Sequence, residues 1–144
     1  MIQRIQSIYL LLAALLSGGV VFFVSFLGSE NNEVSNITSL LTDERFLIKS
    51  IGIGFFVSAA LSALSIFLFK QRQNQFVLGR LNILINFYLL GVLLFESLMV
   101  SGETNVSEKG IGVSLPIIVV VLLVMANKAI KKDENLVKSV DRLR

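Results

Sequence analysis

Four long stretches of this chain contain almost no charged side chain, and this pattern constrains the fold more than any other feature. The stretches are residues 8–27, 50–69, 81–100 and 111–127, and Glu96 is the one charged residue inside them. A helix needs about 20 mainly apolar residues to cross the hydrocarbon core of a bilayer. The pattern therefore predicts an all-α membrane protein, a four-transmembrane-helix bundle that makes up one domain over residues 1–144.

The first of these stretches also has some features of a signal peptide, since it follows a single basic residue, Arg4. A signal peptide has an apolar region of about 7–15 residues and an A-x-A-like cleavage site. The first stretch spans residues 8–27, and its exit reads Ser25-Phe26-Leu27-Gly28-Ser29. We therefore expect a retained membrane helix rather than a cleaved leader.

The basic residues lie on one side of the predicted membrane. Arg4, the loop 70–80 and the tail 128–144 together hold ten of the 13 lysines and arginines of the chain. Short segments rich in Lys and Arg stay in the cytoplasm. The sequence thus predicts that both termini are cytoplasmic.

The composition argues against most enzyme classes. The chain has no cysteine and no histidine, which removes thiol nucleophiles, imidazole bases and most transition-metal sites. It also has no phosphate-binding or hydrolase motif. We expect no catalytic residue, no cofactor and no metal site. The basic segments fit the topology and contain little aromatic content, so anionic lipid is a simpler partner for them than nucleic acid.

Two predicted helices carry small residues at helical spacing, which allow close helix packing in lipid. These residues are Ala14, Gly18, Gly54, Ser58, Ser62 and Ser65. The simplest interpretation is packing within the four-helix bundle. Packing against a different protein uses the same chemistry and remains an alternative.

The third stretch is the most polar, because Asn82, Asn86 and Glu96 fall on one helical stripe. A carboxylate within a membrane is a candidate functional group. Glu96 lies near the outer end of its stretch, so the structural alternative is that it reaches the membrane interface or pairs with Lys49 or Lys109. The asparagines either bind a ligand or form hydrogen bonds between helices or to the backbone near the interface.

The ends of the predicted helices carry their own signals. Thr42 is a candidate N-cap of the second helix, and Pro116 suits the opening turn of the fourth. In the tail, Leu136, Val140 and Leu143 recur at helical spacing among charged residues. The tail is therefore predicted to form a short amphipathic helix, which either lies on the headgroups or docks with a partner.

Two segments of the chain have a distinctive sequence. They are the opening, MIQRIQSIYLLLAA over residues 1–14, and IFLFKQRQNQ over residues 66–75, followed by Leu78, Arg80, Leu81 and Asn82. Both resemble segments of an uncharacterised family of four-helix membrane proteins from Bacteroidota. The resemblance implies an inner-membrane protein of a Gram-negative bacterium and supplies no activity. Both segments lie at the predicted cytoplasmic face.

Polar residues of these segments are candidates for one cytoplasmic interaction surface, or they only anchor helix ends. They are Gln3, Arg4, Gln6, Lys70, Arg72, Gln75, Arg80, Asn82 and Asn86. The leading functional hypothesis is a non-enzymatic subunit or assembly partner of a larger membrane complex, with the lipid bilayer and other membrane subunits as partners. The alternative is a small homo-oligomeric transporter or channel that uses Glu96 and the polar stripe.

Overall fold

The computed structural model describes residues 3–23, 27–28, 34–35, 37–42, 44–68, 70–100 and 106–141, and these residues are mainly helical. A short antiparallel pairing of two two-residue strands, Leu27 with Ser35 and Gly28 with Val34, is the exception. The elements in chain order are α1 Gln3–Gly18, a 3₁₀ turn Val20–Phe22, β1 Leu27–Gly28, β2 Val34–Ser35, α2 Ile37–Thr42, α3 Phe46–Phe67, α4 Arg72–Val100 and α5 Val106–Asp141.

Four of the helices pack in a ring. Helix α1 contacts α3 and α5, and α4 contacts the same two helices from the opposite corner. The predicted helical bundle is confirmed in this form. Three helical segments are long and apolar enough to cross a membrane, namely Phe46–Phe67, Arg72–Glu96 and Gly112–Val140, and Ile5–Gly18 is a shorter apolar helix. These segments indicate a membrane protein.

Two apolar clusters fill the interior of the bundle. One is centred on Phe55 and Ile51 of α3 with Leu89 and Leu93 of α4, all fully buried. The other joins α1 to α5 through five residues, Leu10, Ala13, Val119, Leu123 and Ala126. The exterior carries many large apolar side chains, for example Leu84, which is 64% exposed. This inside-and-outside apolar pattern suits a bundle surrounded by lipid.

Helix α1 ends earlier than the sequence predicts. The predicted span was residues 8–27, whereas the helix ends at Gly18 and is followed by a turn at Gly19 and the 3₁₀ turn. Two consecutive glycines lower helix propensity by about 1 kcal/mol each relative to alanine. The apolar residues after them continue the hydrophobic run, so hydropathy alone does not reveal the end of the helix.

The predicted cytoplasmic loop 70–80 is mostly helical, which corrects its assignment. Helix α4 begins at Arg72, so the connection from α3 is only residues 68–71. The residues from 72 to 80 contain no proline, and Gln75 and Gly79 are buried within the bundle. Packing therefore extends the helix beyond the apolar stretch that starts at residue 81.

The predicted starts of the second and fourth helices are also wrong. Thr42 ends α2, and its hydroxyl donates to the carbonyl of Thr38, whereas α3 begins after the N-cap residue Arg45. Helix α5 begins at Val106, so Pro116 lies inside it rather than in its first turn. Lipid-embedded helices tolerate internal proline, because neighbouring groups satisfy the backbone that it frees.

Helix α5 is continuous with the predicted tail. Its 36 residues run from Val106 to Asp141 without a break. The helical character of the tail is thereby confirmed up to Asp141, while Leu143 lies outside the described residues.

Candidate functional site

The two asparagines of the polar stripe point into the interface between α3 and α4. The Nδ2 group of Asn82 donates to the Oγ of Ser62 at 2.7 Å and to the carbonyl oxygen of Ser58 at 3.1 Å. The Nδ2 group of Asn86 donates to the Oγ of Ser58 at 2.8 Å and to the Oδ1 of Asn82 at 3.0 Å. We call these four residues the amide cluster.

The amide cluster is completely enclosed by the bundle. Ser58, Ser62 and Asn86 have no exposed surface, and Asn82 is 1% exposed. The Oδ1 of Asn86 is buried without a hydrogen-bond partner. An unmet buried acceptor costs about 1–3 kcal/mol, so this oxygen is the one position in the cluster that would gain from an added donor. The hydrogen bonds described for the cluster link α3 to α4 or one turn of α4 to the next.

A second buried amide lies where α4 crosses α5. Asn127 of α5 is 8% exposed, and its Oδ1 has no hydrogen-bond partner. Its side chain packs directly on Gly79 of α4, so closely that a Cβ at residue 79 would overlap the amide. A glycine at this position therefore lets the two helices meet. From the sequence, Asn127 was predicted only as the end of a membrane span, and Gly79 was not predicted as a site residue.

An ion pair closes the same interface nearer the helix ends. The Nη2 of Arg72 lies 3.3 Å from the Oδ2 of Asp133, whose side chain is 12% exposed. The contact is electrostatic and lacks the alignment of a hydrogen bond, because this oxygen has no hydrogen-bond partner. Asp133 was also missed by sequence reasoning, since it appears there only as one charge among the lysines of the tail.

Glu96 is buried near the opposite end of α4. Its Oε2 lies 3.6 Å from an Nη atom of Arg45, and its side chain is 6% exposed whereas that of Arg45 is 61% exposed. The ion-paired interpretation of Glu96 thus has a partner in the structure, although the partner is Arg45 and not the predicted Lys49. The other predicted partner, Lys109, has a side chain outside the described part of the chain.

The nine residues of the predicted cytoplasmic surface do not share one exposed face. Gln6, Gln75 and the two asparagines of the amide cluster are buried. Lys70 and Arg80 are exposed, Arg72 is half-buried, and the side chains of Gln3 and Arg4 lie outside the described residues. Amides in an apolar bundle are stabilised by hydrogen bonds across helices, and this turns them inward.

Gln6 lies near the start of α1 and forms a hydrogen bond to another helix of the bundle. Its Nε2 donates to the carbonyl oxygen of Ala129 at 3.1 Å, which ties α1 to α5. Arg80 stays outside, with its guanidinium carbon 4.2 Å from the ring centre of Phe76. This cation–π contact keeps the arginine along its own helix.

Two of the small residues lie at close helix contacts. A Cβ at Gly18 would stand 3.1 Å from the Cβ of Ala59, and a Cβ at Gly54 would stand 2.6 Å from Leu89. Ser65 is buried and donates to the carbonyl oxygen of Leu61 in its own helix. Ala14 is half-buried on α1. The glycines permit close contact of α3 with α1 on one side and with α4 on the other.

Within the described residues, no group of three or more His, Cys, Asp or Glu side chains is close enough to hold a metal ion. Among the side chains that the structure describes, the buried acidic ones are Glu96 and Asp133, and they lie near opposite ends of α4, next to Arg45 and Arg72 respectively. The site therefore consists of paired polar groups that bind one another across helix interfaces.

Comparison with protein families gives a match over nearly the whole chain. The model of a family described as a domain of unknown function, DUF4293, matches residues 2–143. The chain belongs to this family. The resemblance to an uncharacterised family is thus confirmed, and the match includes all the helices described above. An origin in Bacteroidota stays a prediction. No curated protein and no solved structure matches the chain.

Proposed function

We propose that the protein crosses the inner membrane four times, with both termini in the cytoplasm. Three segments have the length and hydropathy for this, and α1 completes the ring between α3 and α5. The 16 residues of α1 extend about 24 Å, and the 3₁₀ turn that follows adds to this length. A short first helix is tolerated where the bilayer thins locally or flanking residues reach the interface.

The charge distribution supports this orientation. Most of the exposed basic side chains that the structure describes lie at the end of the bundle where α3 and α4 connect and α5 ends, namely Lys70, Arg80, Lys128, Lys131, Lys132 and Lys138, whereas Arg45 and Lys49 lie at the opposite end. Short basic segments are retained on the cytoplasmic side. The opposite end, where Glu96 pairs with Arg45, then faces the periplasm.

Within this membrane, the protein acts as a non-enzymatic subunit or assembly partner of a larger complex. The observation that carries this proposal is that the polar groups of the membrane helices bind one another across the bundle. The amide cluster ties α3 to α4, Gln6 ties α1 to α5, and Arg72 pairs with Asp133. Such contacts suit a rigid structural unit, in which polar residues fix helix positions.

The end of α5 offers a contact point for a partner. No residue of α5 after Asp133 is buried among those whose side chains the structure describes. Leu136, Val137 and Val140 are 45%, 43% and 66% exposed. We call residues 134–141 the arm. It extends beyond the bundle by about 12 Å, the length of eight helical residues, and it carries apolar side chains at i, i+1 and i+4.

The experiment is recovery of the tagged chain from native membranes in mild detergent, with the tag at the N-terminus so that the arm itself carries no added residues. The expected result is stoichiometric recovery of other membrane proteins, read by mass spectrometry and native gel. The double variant Leu136→Ser with Val140→Ser loses them, and the control Asn135→Ser on the same arm retains them. Recovery of the wild-type chain alone in every mild detergent contradicts the proposal.

One observation favours a second candidate, a small homo-oligomeric transporter or channel. Glu96 is a buried carboxylate on a membrane helix, and such groups serve as proton carriers in transporters. The test is proton-coupled flux in liposomes, which Glu96→Gln abolishes if this function is correct. Equal flux in the two proteins, or none in the wild type, removes the candidate.

A further inference from the structure

A groove with a volume of about 320 Å³ lies on the outside of the bundle between α3 and α4. Ile53, Gly54 and Val57 line it from α3, and Ile85 and Tyr88 line it from α4. Its volume is at the lower end of the range of about 300–1,000 Å³ for small-molecule sites. The groove is narrow for a second helix, which is about 10 Å across, and has the size for one extended hydrocarbon chain.

The groove has a mouth at the start of α3 and a floor deeper in the bundle. Phe46, Lys49 and Ser50 line the mouth, whereas Val57 and Ile85 line the floor. Val57 lies about 16 Å along α3 from Phe46, at 1.5 Å per residue. The groove thus runs inward from the predicted membrane interface, and its surface is almost wholly apolar.

At the mouth of the groove, the ammonium group of Lys49 is the hydrogen-bond donor that could bind a ligand. The hydroxyl of Ser50 donates to the carbonyl oxygen of Leu47 at 2.6 Å, so it accepts from the hydroxyl of Tyr88 at 2.9 Å. Both hydroxyl protons are thereby used. In the part of the chain that the structure describes, no carboxylate lies within ion-pairing distance of the exposed ammonium group of Lys49.

We propose that this groove binds an anionic phospholipid, with its phosphate at Lys49 and one acyl chain over Ile53, Val57 and Ile85. The inference rests on the proposal that α3 and α4 cross a membrane. Charge complementarity selects the headgroup, because an unpaired ammonium at the interface attracts anionic lipid. The apolar floor binds the chain, and the hydroxyl pair of Ser50 and Tyr88 fixes the position of one helix against the other.

The absence of tryptophan from the sequence allows a direct test by fluorescence quenching. Phe46→Trp places a reporter at the mouth of the groove, and Leu98→Trp places a matched reporter on α4 near the same end of the bundle. The two parent side chains are 80% and 79% exposed. Each variant is reconstituted in phosphatidylcholine vesicles that contain brominated phosphatidylglycerol or brominated phosphatidylcholine as quencher.

The expected result is stronger quenching of the Phe46→Trp reporter by the anionic lipid, which corresponds to about fivefold local enrichment, the effect of one lysine near anionic lipid. The Leu98→Trp reporter shows no such preference. Adding Lys49→Gln removes the preference at the groove. Adding Val57→Phe, which fills the floor and leaves the lysine in place, removes it as well.

Three outcomes overturn the proposal. Equal quenching of Phe46→Trp by the two lipids shows that the mouth does not select an anionic headgroup. A preference that survives Val57→Phe shows attraction by charge alone, without a bound chain. A Leu98→Trp reporter that brominated phosphatidylcholine does not quench shows that this end of α4 is outside the bilayer, and this result separates failure of the membrane placement from failure of the lipid site.

Discussion

Helices α4 and α1 lie at opposite corners of the bundle and contact the same two helices, α3 and α5, but they do so through different kinds of contact. Helix α4 meets α3 through the amide cluster and meets α5 through Gly79 and the Arg72–Asp133 pair. Helix α1 meets its neighbours through an apolar cluster, through Gly18 against Ala59, and through a hydrogen bond from Gln6 to α5.

This difference shows which contacts fix the positions of helices relative to one another in a lipid bilayer. Apolar side chains gain little by moving from lipid to another helix, so packing and interhelical hydrogen bonds set the arrangement. Apolar contacts such as those of α1 tolerate small shifts, whereas a hydrogen bond between Asn82 and Ser62 requires one alignment. The α3–α4 pair is therefore the part of the bundle whose register is most strongly fixed.

The largest effect is expected where α4 meets α5. Gly79→Ala places a methyl group against the Asn127 amide and should lower the free energy of unfolding by about 2 kcal/mol, in the range of overpacked sites. Unfolding in mixed micelles, followed by circular dichroism, measures it. The matched control is Gly91→Ala in the same helix, because nothing lies within 4 Å of a Cβ at Gly91; it should gain up to about 1 kcal/mol.

A double variant sharpens the interpretation of that result. Asn127→Ala removes the amide that the new methyl group would overlap, so Gly79→Ala should cost much less in its presence. If Gly79→Ala is as costly with Asn127→Ala as without it, the close contact is not the reason that glycine is needed.

The next largest effects are expected for two variants that compare α4 directly with α1. Asn82→Leu removes two hydrogen bonds to α3 and should lower the free energy of unfolding by about 1–2 kcal/mol, since interhelical bonds in membranes average about 0.6 kcal/mol each. Gln6→Leu removes the single bond from α1 to Ala129 and should lower it by about 0.6 kcal/mol. The same unfolding measurement serves both variants. Equal losses would contradict the difference between α4 and α1.

The ion pair at the start of α4 has a smaller expected effect. Arg72→Gln leaves the Asp133 carboxylate buried without its cation and should lower the free energy of unfolding by about 1 kcal/mol, toward the upper end for partly exposed pairs. High salt should weaken the wild-type pair in the same direction. A stability that responds neither to the substitution nor to salt would show that the pair does not hold α4 to α5.

The smallest effect is expected at Glu96. Its partner Arg45 is largely exposed, so Glu96→Gln should change the free energy of unfolding by less than about 0.5 kcal/mol. Removal of the charge also relieves the cost of burying it, which offsets the lost attraction. A loss of several kcal/mol would assign this pair a structural role as large as that of the amide cluster.

Much of the architecture could be predicted from the sequence, because hydropathy reports which segments are long and apolar enough for a bilayer. The segments around 50–69, 81–100 and 111–127 correspond to α3, α4 and α5. Hydropathy predicted too late an end for α1, since the residues after Gly18 and Gly19 are as apolar as those before them. It also predicted too late a start for α4, since the segment from 72 to 80 contains polar residues and is helical because it packs against the bundle.

The order of residues along the chain is enough to predict the kind of residue at each level of the bundle, including the stripe that carries Asn82, Asn86 and Glu96. The contacts of those residues follow from the way the helices pack. Periodicity places a side chain on a face of its own helix, but the partner depends on which helix lies opposite and at what height. Thus Ser58 and Ser62 receive the asparagines, Arg45 receives Glu96, and Gly79 meets Asn127.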